Sequence, residues 1–200
     1  MTRATRPHDR VNLEHTTVLM VDDNPQALDL LSSIVQGFGV KEQIRCSSAL
    51  EATEILKRRT VDLILVDCAM PEMDGYDFAR WLRRETPLPV RATPLIMVTG
   101  HAALSKVHSS RDCGASFVVT KPLTPGVLLQ RILWLASDER EFIESADYVG
   151  PDRRLRNFGP PLGEAGRRAG DLSAHVGAAQ DPNMDQSDID MLIKPRRVAL

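Results

Sequence analysis

The stretch "LILVDCAMPEMDG", residues 63–75, decides how the rest of the chain folds. Leu63, Ile64, Leu65 and Val66 are apolar without alternation, the pattern of a strand covered on both faces. Asp67 ends the run abruptly. A loop with Pro71 follows, and Gly75 opens "GYDFARWLRRE", a helical segment over 75–85. A buried strand, an acid at its tip and a helix make one unit of a parallel sheet.

The same unit repeats outward in both directions. "TTVLMV" gives a strand over residues 16–21, and Asp22 follows it. "PQALDLLSSIVQGFG" reads as a helix, with Pro25 in its first turn and Gly37 and Gly39 at its end. "VKEQIRCSS" is a weaker strand, and "ALEATEILKRR" an amphipathic helix. Beyond residue 85, "PLPVRATP" stops the helix. "PLIMVTG" is a strand, and "ALSKVHSSRDCG" a helix closed by Gly114. "SFVVTKP" is the fifth strand, and "GVLLQRILWLASDEREFIE" a last helix over 126–144. Five apolar strands alternating with five helices predict an α/β fold, a doubly wound parallel sheet with helices on both faces. In such sheets ligands bind at the C-terminal ends of the strands.

Those ends carry Asp22 and Asp23, Asp67, Thr99, and Lys121 followed by Pro122. Carboxylates brought close together raise one another's pKa, and a divalent cation relieves the repulsion. Mg²⁺ suits an all-oxygen site and keeps several waters. An ammonium and a hydroxyl beside it suit a phosphoryl group. An ionised carboxylate is itself a competent nucleophile, and Asp67, at the tip of the most apolar strand, is the candidate.

"VLMVDDNPQ", "LILVDCAMPEMDG", "LIMVTG" and "VVTKPL" together resemble the signatures of the response-regulator receiver domain of two-component signalling, over residues 16–137. The resemblance implies a flavodoxin-like, five-stranded sheet of order 2-1-3-4-5. It implies that Asp67 is the phospho-acceptor and that Asp22, Asp23, Asp67 and the backbone carbonyl of Ala69 form the Mg²⁺ site. Thr99 becomes the switch hydroxyl and Lys121 the phosphate-pairing ammonium, while Met70, Pro71 and Gly75 shape the loop. It further implies a histidine kinase or phosphotransfer protein as donor. An output protein, not identifiable from the sequence, would be engaged through the fourth helix, fifth strand and fifth helix. His101, two positions after Thr99, would overlook the phosphoryl group. One departure is Val118, where receivers often carry an aromatic residue three positions before the lysine; Phe117 precedes it, and strand alternation puts the two on opposite faces.

Other classes fit less well. A transcription regulator needs a DNA-reading helix after residue 145, and that region offers scattered arginines. A phosphatase of the haloacid-dehalogenase type also uses Asp, Thr, Lys and Mg²⁺, but its two acids are separated by one residue, whereas Asp22 and Asp23 are adjacent. A net charge of −2 over 200 residues gives no bulk attraction to nucleic acid or anionic membrane. The three cysteines, Cys46, Cys68 and Cys113, have no metal spacing and read as reduced thiols, with Cys68 a tolerated small side chain. No apolar run reaches the length of a membrane span, and the first 15 residues lack the apolar core of a signal peptide, so a cytoplasmic protein is expected.

The chain thus divides into a polar arm (1–15), a receiver domain (16–145) and a largely disordered tail (146–200) rich in Gly, Pro and Arg. In the tail, "YVGPDRRLR" with Arg153, Arg154 and Arg156 is similar to tails of other stand-alone receivers. Near its end, "MDQSDIDMLI" predicts a short amphipathic helix over 185–193. Asp185 is the cap, and Ile189, Leu192 and Ile193 share one face. It resembles the receiver-binding peptide of flagellar motor switch proteins, which implies that it docks on this protein's own output face or on that of a second receiver.

Overall fold

The computed structural model describes residues 13–100, 104–138 and 140–152. Most of the expected N-terminal arm, His101, the arginines 153, 154 and 156 and the expected helix 185–193 lie outside them.

Five parallel strands, β1 (Thr17–Val21), β2 (Glu42–Cys46), β3 (Leu63–Asp67), β4 (Leu95–Thr99) and β5 (Phe117–Thr120), form one sheet in the order β2-β1-β3-β4-β5. This is the expected doubly wound topology. The helices are α1 (Pro25–Gly37), α2 (Ala49–Leu56), α3 (Gly75–Glu85), α4 (Leu104–Asp112) and α5 (Pro125–Ala136). Their starts are encoded locally. Asn24, Ser48, Asp74 and Thr124 each accept a backbone N–H of the first turn, and Pro25 and Pro125 supply a preset φ.

Side chains alternate across the strands into two apolar layers. Leu19, Val21, Ile64, Val66, Met97 and Val118 face α2 and α3. Val18, Met20, Leu65, Ile96, Phe117 and Val119 face α1 and α5. Phe117 and Val118 therefore do lie on opposite faces, and Phe117 meets Trp134 edge-on at 4.6 Å. The register pairs Asp67 with Val98 and Thr99 with Thr120, so the polar residues at the tips of β3, β4 and β5 fall on one edge.

The end of the domain differs from expectation. The last helix stops at Ala136 rather than running to Glu144. Asp138 accepts from the backbone N–H and the guanidinium of Arg140, which lies over the Trp134 ring at 4.7 Å and also donates to Ser116 O. These contacts turn the chain back and outweigh the helical periodicity. Residues 142–144 instead form β6 (Phe142–Glu144), antiparallel to β7 (Val149–Pro151). The expected boundary between residues 145 and 146 falls inside this hairpin.

The hairpin is packed closely onto the domain. Tyr148 is buried, and its hydroxyl donates to Pro151 O at 2.6 Å. Gly114 has φ +91°, and a Cβ there would stand 2.5 Å from Val149 O. Arg83 on α3 is 1% exposed beneath the Phe142 ring, and donates to Gly114 O, Arg91 O and Thr93 O at 2.9, 2.6 and 2.9 Å. A guanidinium buried this way satisfies carbonyls that strands and turns leave open.

Candidate functional site

Asp22 and Asp67 leave the tips of neighbouring strands β1 and β3 and are both buried. Each is aimed in the same way. One oxygen of Asp22 accepts the N–H of Asn24 at 2.9 Å, and one oxygen of Asp67 accepts the N–H of Ala69 at 2.6 Å. A backbone amide two residues on thus fixes each carboxylate, the local bond that makes aspartate a turn residue. The remaining oxygens converge on one cation: Lys121 Nζ donates to Asp67 Oδ1 at 2.5 Å and to Asp22 Oδ2 at 3.0 Å. Burial by itself lowers the pKa of this ammonium, but the bonds to Asp67 and Asp22 outweigh it and hold the pKa above its ordinary value.

Thr99 is buried at the tip of β4, and its carbonyl accepts the N–H of Lys121 at 2.7 Å. Lys121 and Thr99 are therefore tied through the backbone. Asp23 is exposed on the rim and outside this hydrogen-bonded set. The structure thus brings together Asp22, Asp67, Lys121 and Thr99 from four strands, with the Ala69 backbone attached to Asp67.

Among the described residues, no three His, Cys, Asp or Glu side chains stand together as a ready metal cage. What is present suits a hard ion that keeps much of its water shell: two oriented carboxylates, all-oxygen donors and a third acid at the rim. The loop after Asp67 is held by close backbone approach. Gly75 N–H donates to Cys68 O, and a Cβ at Gly75 would lie 2.3 Å from Asp67 O.

The Cys68 thiol is buried, and burial pushes its pKa up to about 12. It is a protonated, packed side chain, as expected of a tolerated small residue. Sequence reasoning missed its surroundings: Cys68 lies in one buried cluster with Met70, Tyr76 and Met97. It also missed the N–H of Asn24 as a fixed donor to Asp22, although the D-x-N spacing of an aspartate turn was available as a signal.

Residues 18–133 match the response regulator receiver domain, and the chain belongs to that family. The polar-differentiation response regulator DivK of Brucella ovis is 32% identical over 108 residues, covering 54% of this chain and 85% of that protein. The receiver domain of a signal-transduction histidine kinase from Syntrophus aciditrophicus is 32% identical with a TM-score of 0.55, covering 66% of this chain and 98% of that one. The receiver domain of the histidine kinase CKI1 from Arabidopsis thaliana, solved in complex with Mg²⁺, is 27% identical with a TM-score of 0.53, covering 60% of this chain and 93% of that one. The chain is a phosphorylation-dependent signalling switch of two-component phosphorelays, a signalling module of the receiver class.

Proposed function

We propose that Asp67 is the acceptor of this switch, taking a phosphoryl group from a phosphohistidine of a kinase or phosphotransfer protein. A carboxylate oxygen attacks phosphorus, the P–N bond breaks, and the imidazole leaves with the bond electrons and gains a proton. The observation that carries this is Lys121 Nζ spanning Asp67 Oδ1 and Asp22 Oδ2. An ammonium already seated at the nucleophile is placed to pair with phosphoryl oxygens as they arrive. Asp22, Asp23, Asp67 and the Ala69 carbonyl are the donors for Mg²⁺, which, when bound, neutralises phosphoryl charge. Thr99 supplies a hydroxyl on the other side of the same edge.

A donor has a surface beside the site. A cavity of about 170 Å³ between α1 and the start of α5 is lined by Ala27, Leu30, Leu31, Pro122 and Leu123, next to Asp22 and Lys121. Leu30 is 51% exposed at its edge. This apolar rim is a fitting seat for the phosphohistidine-bearing protein. Output runs through the face of α4, β5 and α5. The apolar positions of 185–193 make that segment a candidate occupant of the face, on sequence resemblance alone. No helix among the described residues is long and apolar enough to cross a membrane, and the proposed site of action is the cytoplasm.

The test is incubation with a small-molecule phosphodonor in Mg²⁺, followed by intact-mass measurement. One added phosphate is expected. Its loss in Asp67→Asn and in excess chelator supports the assignment, and equal labelling of Asp67→Asn overturns it.

A further inference from the structure

The β6–β7 hairpin and α3 enclose a cavity of about 150 Å³, several times the ~30 Å³ share of one water. Its wall includes Arg80, Arg83 and Arg84 of α3, Asp112 at the end of α4, and Asp147 and Tyr148 of the hairpin. Arg83 is the buried cation of this wall. Its Nε and Nη1 donate to the carbonyls of Gly114, Arg91 and Thr93, all neutral acceptors. Its Nη2 is buried and has no hydrogen-bond partner among the described residues. Burial pulls the pKa of the guanidinium down to about 10, so it is still a cation at neutral pH. A buried cation held only by neutral dipoles is costly, and a counter-charge within reach offsets that cost.

The exposed part of the wall leaves Nη2 unsatisfied. Asp112 and Asp147 are exposed, and neither accepts from it. Arg84 donates to Ala146 O at 3.2 Å, and Arg80 to Asp77 at 2.6 Å, an exposed pair that contributes little and exchanges readily. The wall itself sets three guanidiniums against two carboxylates, an excess of one positive charge. Cys113 and Val149 complete it and make part of it apolar.

We propose that this cavity is a binding site for a short-chain carboxylate, one oxygen accepting from Arg83 Nη2 and the other from Arg84. A single negative charge matches the excess on the wall, and a short alkyl group suits its apolar part. A dianion such as phosphate meets Asp112 and Asp147 and is disfavoured. Because α3 and the hairpin both contribute, the ligand ties the hairpin to the domain. The site is at the pole of the sheet away from Asp67 and is independent of the acceptor reading.

The experiment is amide NMR of the full chain, with chelator present and ionic strength held constant by sodium chloride, during titration with sodium acetate and separately with sodium phosphate. Acetate is expected to give saturable shifts at Arg83, Gly114, Tyr148 and Val149 and none at Asp67. Arg84→Gln should weaken acetate about tenfold, the loss of one charge-assisted hydrogen bond. Arg83→Lys should abolish the saturable shifts, and Arg84→Gln decides the question if that variant does not fold. Shifts that grow linearly and spread over the surface arginines mean adventitious binding only and overturn the proposal. Equal acetate affinity in Arg84→Gln, or saturable shifts confined to the Asp67 pole, overturns it too. Phosphate binding tighter than acetate overturns the carboxylate assignment.

Discussion

Replacing Gly75 by alanine should damage the site from outside it. The backbone there does not need glycine for its φ; the space does. An added Cβ would stand 2.3 Å from Asp67 O, 3.0 Å from the Cα of Cys68 and 3.1 Å from the Asp67 carbonyl carbon. All three are backbone atoms, so no rotamer change relieves the overlap. Ordinary contact begins near 3.4 Å, and α3 and the tip of β3 must part by about 1 Å. Overpacking of this kind costs about 1–3 kcal/mol. Weakening the bond from Gly75 N–H to Cys68 O adds about 1 kcal/mol, and the better helix propensity of alanine returns about 1 kcal/mol at most. A net loss of about 2 kcal/mol corresponds to a melting temperature lower by roughly 8 °C for a domain of this size. Displacing Asp67, the proposed acceptor, by ~1 Å should slow phosphate uptake by about 100-fold. Gly126→Ala on α5 is the control, since its Cβ meets nothing within 4 Å. The assay is a thermal melt by circular dichroism, together with the rate of phosphate uptake from a small-molecule donor by mass spectrometry. A Gly75→Ala protein that melts within about 2 °C of the parent and labels at the parental rate would refute the close-approach argument.

Three further outcomes follow from the same geometry. Ending the chain after Asp152 should leave the melting temperature unchanged. Ending it after Ala146 removes β7 and the buried Tyr148 and should cost about 2 kcal/mol, as read by urea unfolding. Burial holds Cys46 and Cys68 at about 12 and Cys113 at about 11, so all three thiols stay protonated when folded; iodoacetamide at pH 8 should label them only as fast as the protein opens. Because these pKa values are raised on folding, their stabilising contribution is complete below the ordinary thiol value of 9.0 and falls as pH rises through 9 toward 12. Lys121→Ala should bind Mg²⁺ at least as well as the parent by calorimetric titration, because it removes a cation from Asp22 and Asp67. The same variant should label more slowly, since incoming phosphoryl charge loses its partner.

The sheet was legible because each strand is a short apolar run closed by a polar residue. Val66 to Asp67 and Val98 to Thr99 mark both the strand end and the site. The start of α1 was legible from Pro25 in its first turn, and α5 begins at Pro125, one residue before the expected 126. The hairpin was not. "SDEREFIE" carries good helix formers at helical spacing, and the contacts that override them join Arg140 to Ser116, far back in the chain. Arg83 is one of three arginines in α3, and the carbonyls that bury it come from residues 91, 93 and 114. The surroundings of Cys68 were hidden for the same reason: Tyr76, Met97 and Cys113 join its buried cluster only after α3, β4 and the end of α4 have packed.

The β6–β7 hairpin lies against the turn that precedes β5, whereas the carboxylates lie beyond the far tips of β1 and β3. A strand of five residues spans about 15 Å, so the two poles of the sheet are at least that far apart. Any segment that continues past residue 152 is tethered at the pole away from the chemistry. Such an attachment is free to change in length and composition without disturbing phosphoryl transfer, and a fluorophore or affinity handle placed there would report on the molecule without touching its reactive end.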